Sequence, residues 1–253
     1  MEHNDLSPQE LVDFVEKTKD QLKPILDLPG AVLFNSYKTL KQGRYYFLGI
    51  NPGGVDGLKI RCHLELLARR GYTADPPYES AYDEKWTNGP GQHLLQKNFK
   101  FLFKELGVCY RDVCATNLVF AGSEHQDDCK CPDEQGNILD WEECAEKICW
   151  PVHETILDEI VRPKVIVTFG FDVFDFIFRV RKGKEYYPHI DPNKQGVRRW
   201  CEAKLTVGTA TKLIGIRHPH PGKGGPFDLA KNDGIIGEID KFLNDESSLP
   251  VRT

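Results

Sequence analysis

Long apolar runs are missing from this sequence: no stretch approaches the roughly 20 residues that cross a bilayer, so no membrane-spanning helix is expected. Residues Met1 to Glu10 are polar and acidic, without the basic start and apolar stretch of a secretory signal. The chain is therefore expected to be intracellular, in the cytoplasm of a prokaryote or the nucleus of a eukaryote. Internal repeats and low-complexity tracts are also lacking, and no boundary between independent units stands out. The eight cysteines (62, 109, 114, 129, 131, 144, 149 and 201) lack the dense spacing of a small secreted framework, so reduced thiols are expected. An excess of basic charge is absent too. A formal net charge of -5 excludes a coat of positive surface. It leaves room for a focused basic cleft, because screening confines each charged patch to about 10 Å.

What is present suits one α/β domain over residues 1–253, with 40% hydrophobic residues available for a core. Ser7-Pro8-Gln9-Glu10 is a helix start, and Leu11, Phe14, Val15 and Leu22 follow at helical spacing, so residues 1–43 read as an N-terminal helical extension. Arg44 to Ile50 is an apolar strand running into Asn51-Pro52-Gly53-Gly54. Helical spacing returns at 60–70 and at 92–106, the latter closed by Gly107, and Val113 to Val119 is a second strand. Trp141 to Val161 reads as a long helix ended by Pro163, with a strand at 164–170 and a helix at 171–180. A last strand at 212–216 precedes Arg217-His218-Pro219-His220-Pro221, and 228–243 reads as the closing helix. Strands alternating with helices predict a three-layer α/β/α fold around a central four-stranded, mainly parallel sheet. The polar stretch 121–140 and residues 181–204 read as loop insertions, the second as a loop or small hairpin. Ligands of such sheets sit beyond the carboxyl ends of the strands, where the residues after strands one, two and four converge.

Three segments then stand out together. Gly49-Ile50-Asn51-Pro52-Gly53 follows one strand, Thr116-Asn117-Leu118-Val119 ends another, and His218-Pro219-His220-Pro221 follows the last. In this order they resemble the signature motifs of the uracil-DNA glycosylase superfamily, most closely its mismatch-specific and single-strand-selective branches, over residues 44–221. The segment Arg162 to Val167 is similar to the lead into that family's third strand. The resemblance implies a monofunctional DNA glycosylase of base excision repair. Such an enzyme hydrolyses the N-glycosidic bond of uracil or a related damaged base flipped out of DNA, as a monomer and without a cofactor or metal.

The residue types suit those roles. Breaking an N-glycosidic bond builds positive charge on the sugar and negative charge on the departing base, so the site needs a placed water on one side and a donor on the other. Asn51 is the residue to orient the water and His218 the one to donate to the base. Asn117 offers an amide that pairs with the O4 and N3-H edge of uracil, the reverse of cytosine's pattern. Gly49, Ile50, Pro52 and Gly53 would bring backbone close to the base. Pro219, His220 and Pro221 form a stiff tip against DNA, Gly222 and Lys223 are the phosphate contacts, and Arg198 and Arg199 are looser candidates.

Two departures from the family pattern follow. An asparagine at 51 is not a general base, which implies slow catalysis, and His220 stands where the family usually carries serine. The aromatic that stacks on the base is to be sought among Tyr72, Tyr78, Tyr82 and Trp86. The rival reading is a binding module of the same fold that recognises nucleic acid without cutting it. A third is a metal-binding element from His125, Cys129, Cys131 and Cys144 or Cys149 that recruits another protein, although the Cys-Lys-Cys spacing is poor for zinc.

Overall fold

The computed structural model describes residues 6–51, 58–69, 80–85, 89–190, 197–218 and 235–244. The first helix, α1 (Pro8–Gln21), starts where the Ser7 side chain accepts from the Glu10 amide and the Glu10 carboxylate accepts from Ser7, with Pro8 in the first turn. It is shorter than the sequence pattern suggests, and a 3-10 turn at Lys23–Ile25 continues the run. There follow β1 (Tyr45–Gly49), α2 (Ile60–Ala68), α3 (Leu94–Glu105) and β2 (Cys114–Asn117). The 121–140 stretch holds a two-stranded pair, β3 (Cys131–Pro132) and β4 (Ile138–Leu139).

The predicted long helix is present but irregular. It comprises α4 (Trp141–Cys144), a π-helical stretch (Ala145–Cys149), α5 (Trp150–Glu154) and a second π-helical stretch (Thr155–Val161). Pro151 lies inside it; its ring and missing N–H displace the regular bonding of the preceding turn, a recognised source of wide turns. Arg162 ends the run in the left-handed conformation, at φ 48°. Then come β5 (Val165–Phe169), α6 (Phe171–Val180), β6 (Lys184–Ile190), β7 (Arg198–Lys204), β8 (Lys212–Ile216) and α7 (Ile235–Asn244).

The main sheet has six strands in the order β2-β1-β5-β8-β7-β6. The first four are parallel to one another. The sequence pattern placed four strands there; residues 181–204 supply the other two. They are no free loop insertion but a hairpin whose β7 pairs antiparallel with β8. Of the two readings of this stretch, loop or small hairpin, the hairpin is the one present; β6 is its edge strand, exposed along nearly its whole length, with Pro188 on it.

Alternation along the buried strands sorts the core into two layers. Tyr46, Leu48, Ile166 and Leu213 face α1, α2, α5 and α6, while Tyr45, Phe47, Val167, Phe169 and Ile214 face α3 and α7. Both faces of the parallel strands are therefore covered by helices, which is why those strands read as continuous apolar runs. No helix among the described residues is long and apolar enough to cross a membrane.

The thiol expectation needs one correction: Cys131 and Cys144 are joined in a disulfide, with Cα atoms 5.9 Å apart, tying β3 to the last residue of α4. The six other cysteines are free. Among the described residues no group of three or more His, Cys, Asp or Glu side chains is arranged to hold a metal ion.

Candidate functional site

Because β2, β1, β5 and β8 run the same way, their carboxyl ends form one rim, ending at Asn117, Gly49, Phe169 and Ile216. Asn51 stands two residues beyond β1 and His218 two beyond β8. With β5 between them, two strand spacings separate their strands, about 10 Å. The pairing of β1 with β2 continues past the strands, since Leu118 N–H donates to the Gly49 carbonyl and Val119 N–H to the Ile50 carbonyl, each at 2.8 Å. This extension carries the asparagine of the second motif to the side of the first.

Asn117 is placed directly opposite Gly49 in the ladder. It is 3% exposed, and its Nδ2 is buried without a hydrogen-bond partner. A buried amide donor left unmade costs about 1–3 kcal/mol, so such a group calls for an explanation. Gly49 makes the placement possible: a Cβ there would lie 2.3 Å from Asn117 Oδ1. Ile50 is half-buried and packs against the core.

The backbone behind Asn117 is held from beneath by His153, which lies outside the three motifs. Its Nε2 lies 3.0 Å from the Leu118 carbonyl and its Nδ1 2.8 Å from the Tyr46 hydroxyl. The carbonyl only accepts, so Nε2 carries the proton and Nδ1 accepts from Tyr46. Burial pushes the His153 imidazole down to about 4, so it is neutral in this role.

Asn51 is half-buried, and its Nδ2 donates to Ser123 Oγ at 2.8 Å and to the Ser123 carbonyl at 3.1 Å. Ser123 Oγ in turn donates to the His125 carbonyl at 2.7 Å. Neither Ser123 nor the segment around it carries any sequence signal for such a role, being one polar residue in a polar stretch.

His218 is half-buried and meets Phe99 of α3 edge-on, with ring centroids 6.4 Å apart. Phe99 itself packs edge-on against Phe169 at the end of β5, at 4.6 Å. The aromatic wall beside the imidazole thus comes from the apolar face of α3. Tyr82 is 2% exposed and packed among Phe34, Phe99, Phe103 and Tyr110, so it is a core aromatic and does not face a ligand. Arg198 is engaged with Asp175 and the Tyr186 hydroxyl and lies over the Phe171 ring. The β7–β8 register sets the start of β7, with Arg198 and Arg199, next to the end of β8. Pro52, Gly53, Pro219, His220, Pro221, Gly222 and Lys223 lie outside the described residues, as do Tyr72, Tyr78 and Trp86.

Fold and rim together define an α/β protein with a polar cluster at the carboxyl edge of a mainly parallel sheet. A scan against protein-family models and a search of curated proteins each found no match to the chain.

Proposed function

We propose that this chain is a uracil-DNA glycosylase-like hydrolase. It cleaves the N-glycosidic bond of uracil or a related damaged base flipped out of DNA, as a monomer in base excision repair. The observation that carries this reading is Asn117: a buried side-chain amide at the carboxyl rim, its donor unpartnered, beside the backbone of Gly49 and Ile50. A planar base with an acceptor at that point relieves the unmade hydrogen bond, and uracil O4 is such an acceptor. Uracil N3-H is the donor that suits the amide's oxygen, and cytosine reverses both groups.

In this mechanism Asn51 holds the attacking water on the sugar side, and His218 donates to the base oxygen as negative charge builds there. The glycosidic pair of electrons leaves with the base, and the water oxygen bonds the anomeric carbon and releases its proton to solvent. No carboxylate stands at position 51 to take that proton, so the chemistry is slow. Flipping costs a few kcal/mol, least for mismatched or unpaired bases, and these are the preferred substrates. DNA is the partner, contacted by the 219–223 segment and by the start of β7.

The test is release of free base by the purified chain from oligonucleotides carrying uracil in single strands, in U:A and in U:G pairs, with T:G and hypoxanthine alongside. Release from at least one uracil substrate is expected. Saturable DNA binding with no product from any of them would replace the enzyme with a binding module.

A further inference from the structure

We infer that Ser123 is the positioning residue for Asn51, fixing which end of its amide faces the reacting water. The inference rests on the glycosylase reading for its consequence but on hydrogen-bond geometry for its content. An asparagine amide has two ends of nearly the same shape and opposite hydrogen-bonding sense. Only the oxygen can accept from a water and turn that water's lone pair toward the sugar. A side chain free to turn over would present its NH2 group half the time and orient the water wrongly.

Ser123 removes that freedom with two acceptors on one residue. Its carbonyl, 3.1 Å from Asn51 Nδ2, can only accept, so it fixes the nitrogen end of the amide on its own side. Its Oγ, 2.8 Å away, has already committed its proton to the His125 carbonyl at 2.7 Å, so toward Asn51 it too can only accept. The donors therefore run one way, from Asn51 through Ser123 to His125, and the Asn51 oxygen is the end turned away from Ser123. Ser123 is itself well placed to act as an anchor. It is 5% exposed, and the residue before it is tied by the Gly122 amide to the Pro29 carbonyl at 2.8 Å. Hydrogen bonds inside such a buried setting hold direction as well as energy.

The experiment compares the full-length wild type with Ser123→Ala, Ser123→Thr and Ser123→Cys. In steady-state release of uracil from a single-stranded oligonucleotide, Ser123→Ala is expected to lower kcat about tenfold with KM unchanged. Ser123→Thr keeps the hydroxyl and restores most of the rate. Ser123→Cys, close in size but a poor acceptor, loses as much as alanine, which separates the hydrogen bond from packing. On an Asn51→Ala background the same Ser123→Ala change is expected to have no further effect. A loss that persists without Asn51, or no loss at all, overturns the inference.

A second readout needs no activity. The Asn51 side-chain NH2 resonances, assigned by their disappearance in Asn51→Asp, are expected to exchange slowly with water in the wild type and in Ser123→Thr, and measurably faster in Ser123→Ala, where only the carbonyl acceptor is left. Unchanged exchange in Ser123→Ala overturns the inference even if the enzyme is active. Absence of base release by the wild type overturns the glycosylase reading alone.

Discussion

Gly49 and Asn117 lie side by side at the ends of two parallel strands, so close that a methyl group on Gly49 would stand 2.3 Å from the Asn117 side-chain oxygen. The glycine is there for the asparagine: the strand end carries no side chain so that the amide of its neighbour can occupy the rim.

Gly49→Ala is therefore expected to push the Asn117 amide out of place. Overpacking of this kind costs about 1–3 kcal/mol, and the displaced amide no longer meets the base edge. Thermal melting should show the destabilisation, and base release should fall more than tenfold. An unchanged rate would mean that Asn117 does not contact the substrate.

Asn117→Leu separates stability from function in the opposite direction. The leucine has a similar shape and no donor to leave unpaired, so the folded state is expected to gain on the order of 1 kcal/mol. Base release should be lost. Urea denaturation of the variant and wild type measures the first, and the oligonucleotide assay the second.

The buried histidines set an acid limit. Loss of hydration holds His63 and His153 near 4, against 6.5 for an ordinary imidazole, and the His63 ring also accepts from the Val32 amide at Nδ1. Between pH 6.5 and 4 the unfolded chain binds protons that the folded one refuses. Stability from these two groups is then complete above pH 6.5, falls as pH drops through that window, and stops falling below 4. Each contributes at most about 3 kcal/mol. Urea midpoints measured from pH 7 to pH 4 should decline over that interval, and His153→Gln should flatten part of the decline.

Thiol titration checks the cysteine arrangement. Cys109 is exposed and Cys62 half-buried, whereas Cys114, Cys149 and Cys201 are buried with thiols pushed up to about 12 by loss of hydration. A disulfide reagent on the native protein should react quickly at Cys109, more slowly at Cys62, and hardly elsewhere. Denaturation without reductant should expose the six free thiols, and reduction should add the two from Cys131 and Cys144.

Much of the architecture was legible because burial on both faces writes itself into the strands. Tyr45 to Gly49, Cys114 to Asn117, Val165 to Phe169 and Lys212 to Ile216 are buried at every position, and their order with the helices fixes a parallel sheet. The β6–β7 hairpin left only the weaker signature of a loop or small hairpin over 181–204: β6 is exposed at the sheet edge, so its Tyr186, Tyr187 and Ile190 form no buried apolar run. The π-helical turns around Pro151 were equally hidden, since periodicity does not distinguish a widened turn from a regular one. At the rim, Asn51, Asn117 and His218 were visible because each ends or follows a recognisable strand. Ser123, His153 and Phe99 were not, because what makes them matter is a neighbour far along the chain: Asn51, the Leu118 carbonyl and the His218 ring.

The most direct measurement is single-turnover release of uracil from a single-stranded oligonucleotide by the wild-type chain and by Asn51→Ala and His218→Ala. The expected result is measurable release by the wild type and a loss of about 100-fold or more in each variant, the scale at which a group acting in the transition state is missed. Equal rates for all three proteins, or release by none of them, would contradict the assignment of this rim as a base-excising site.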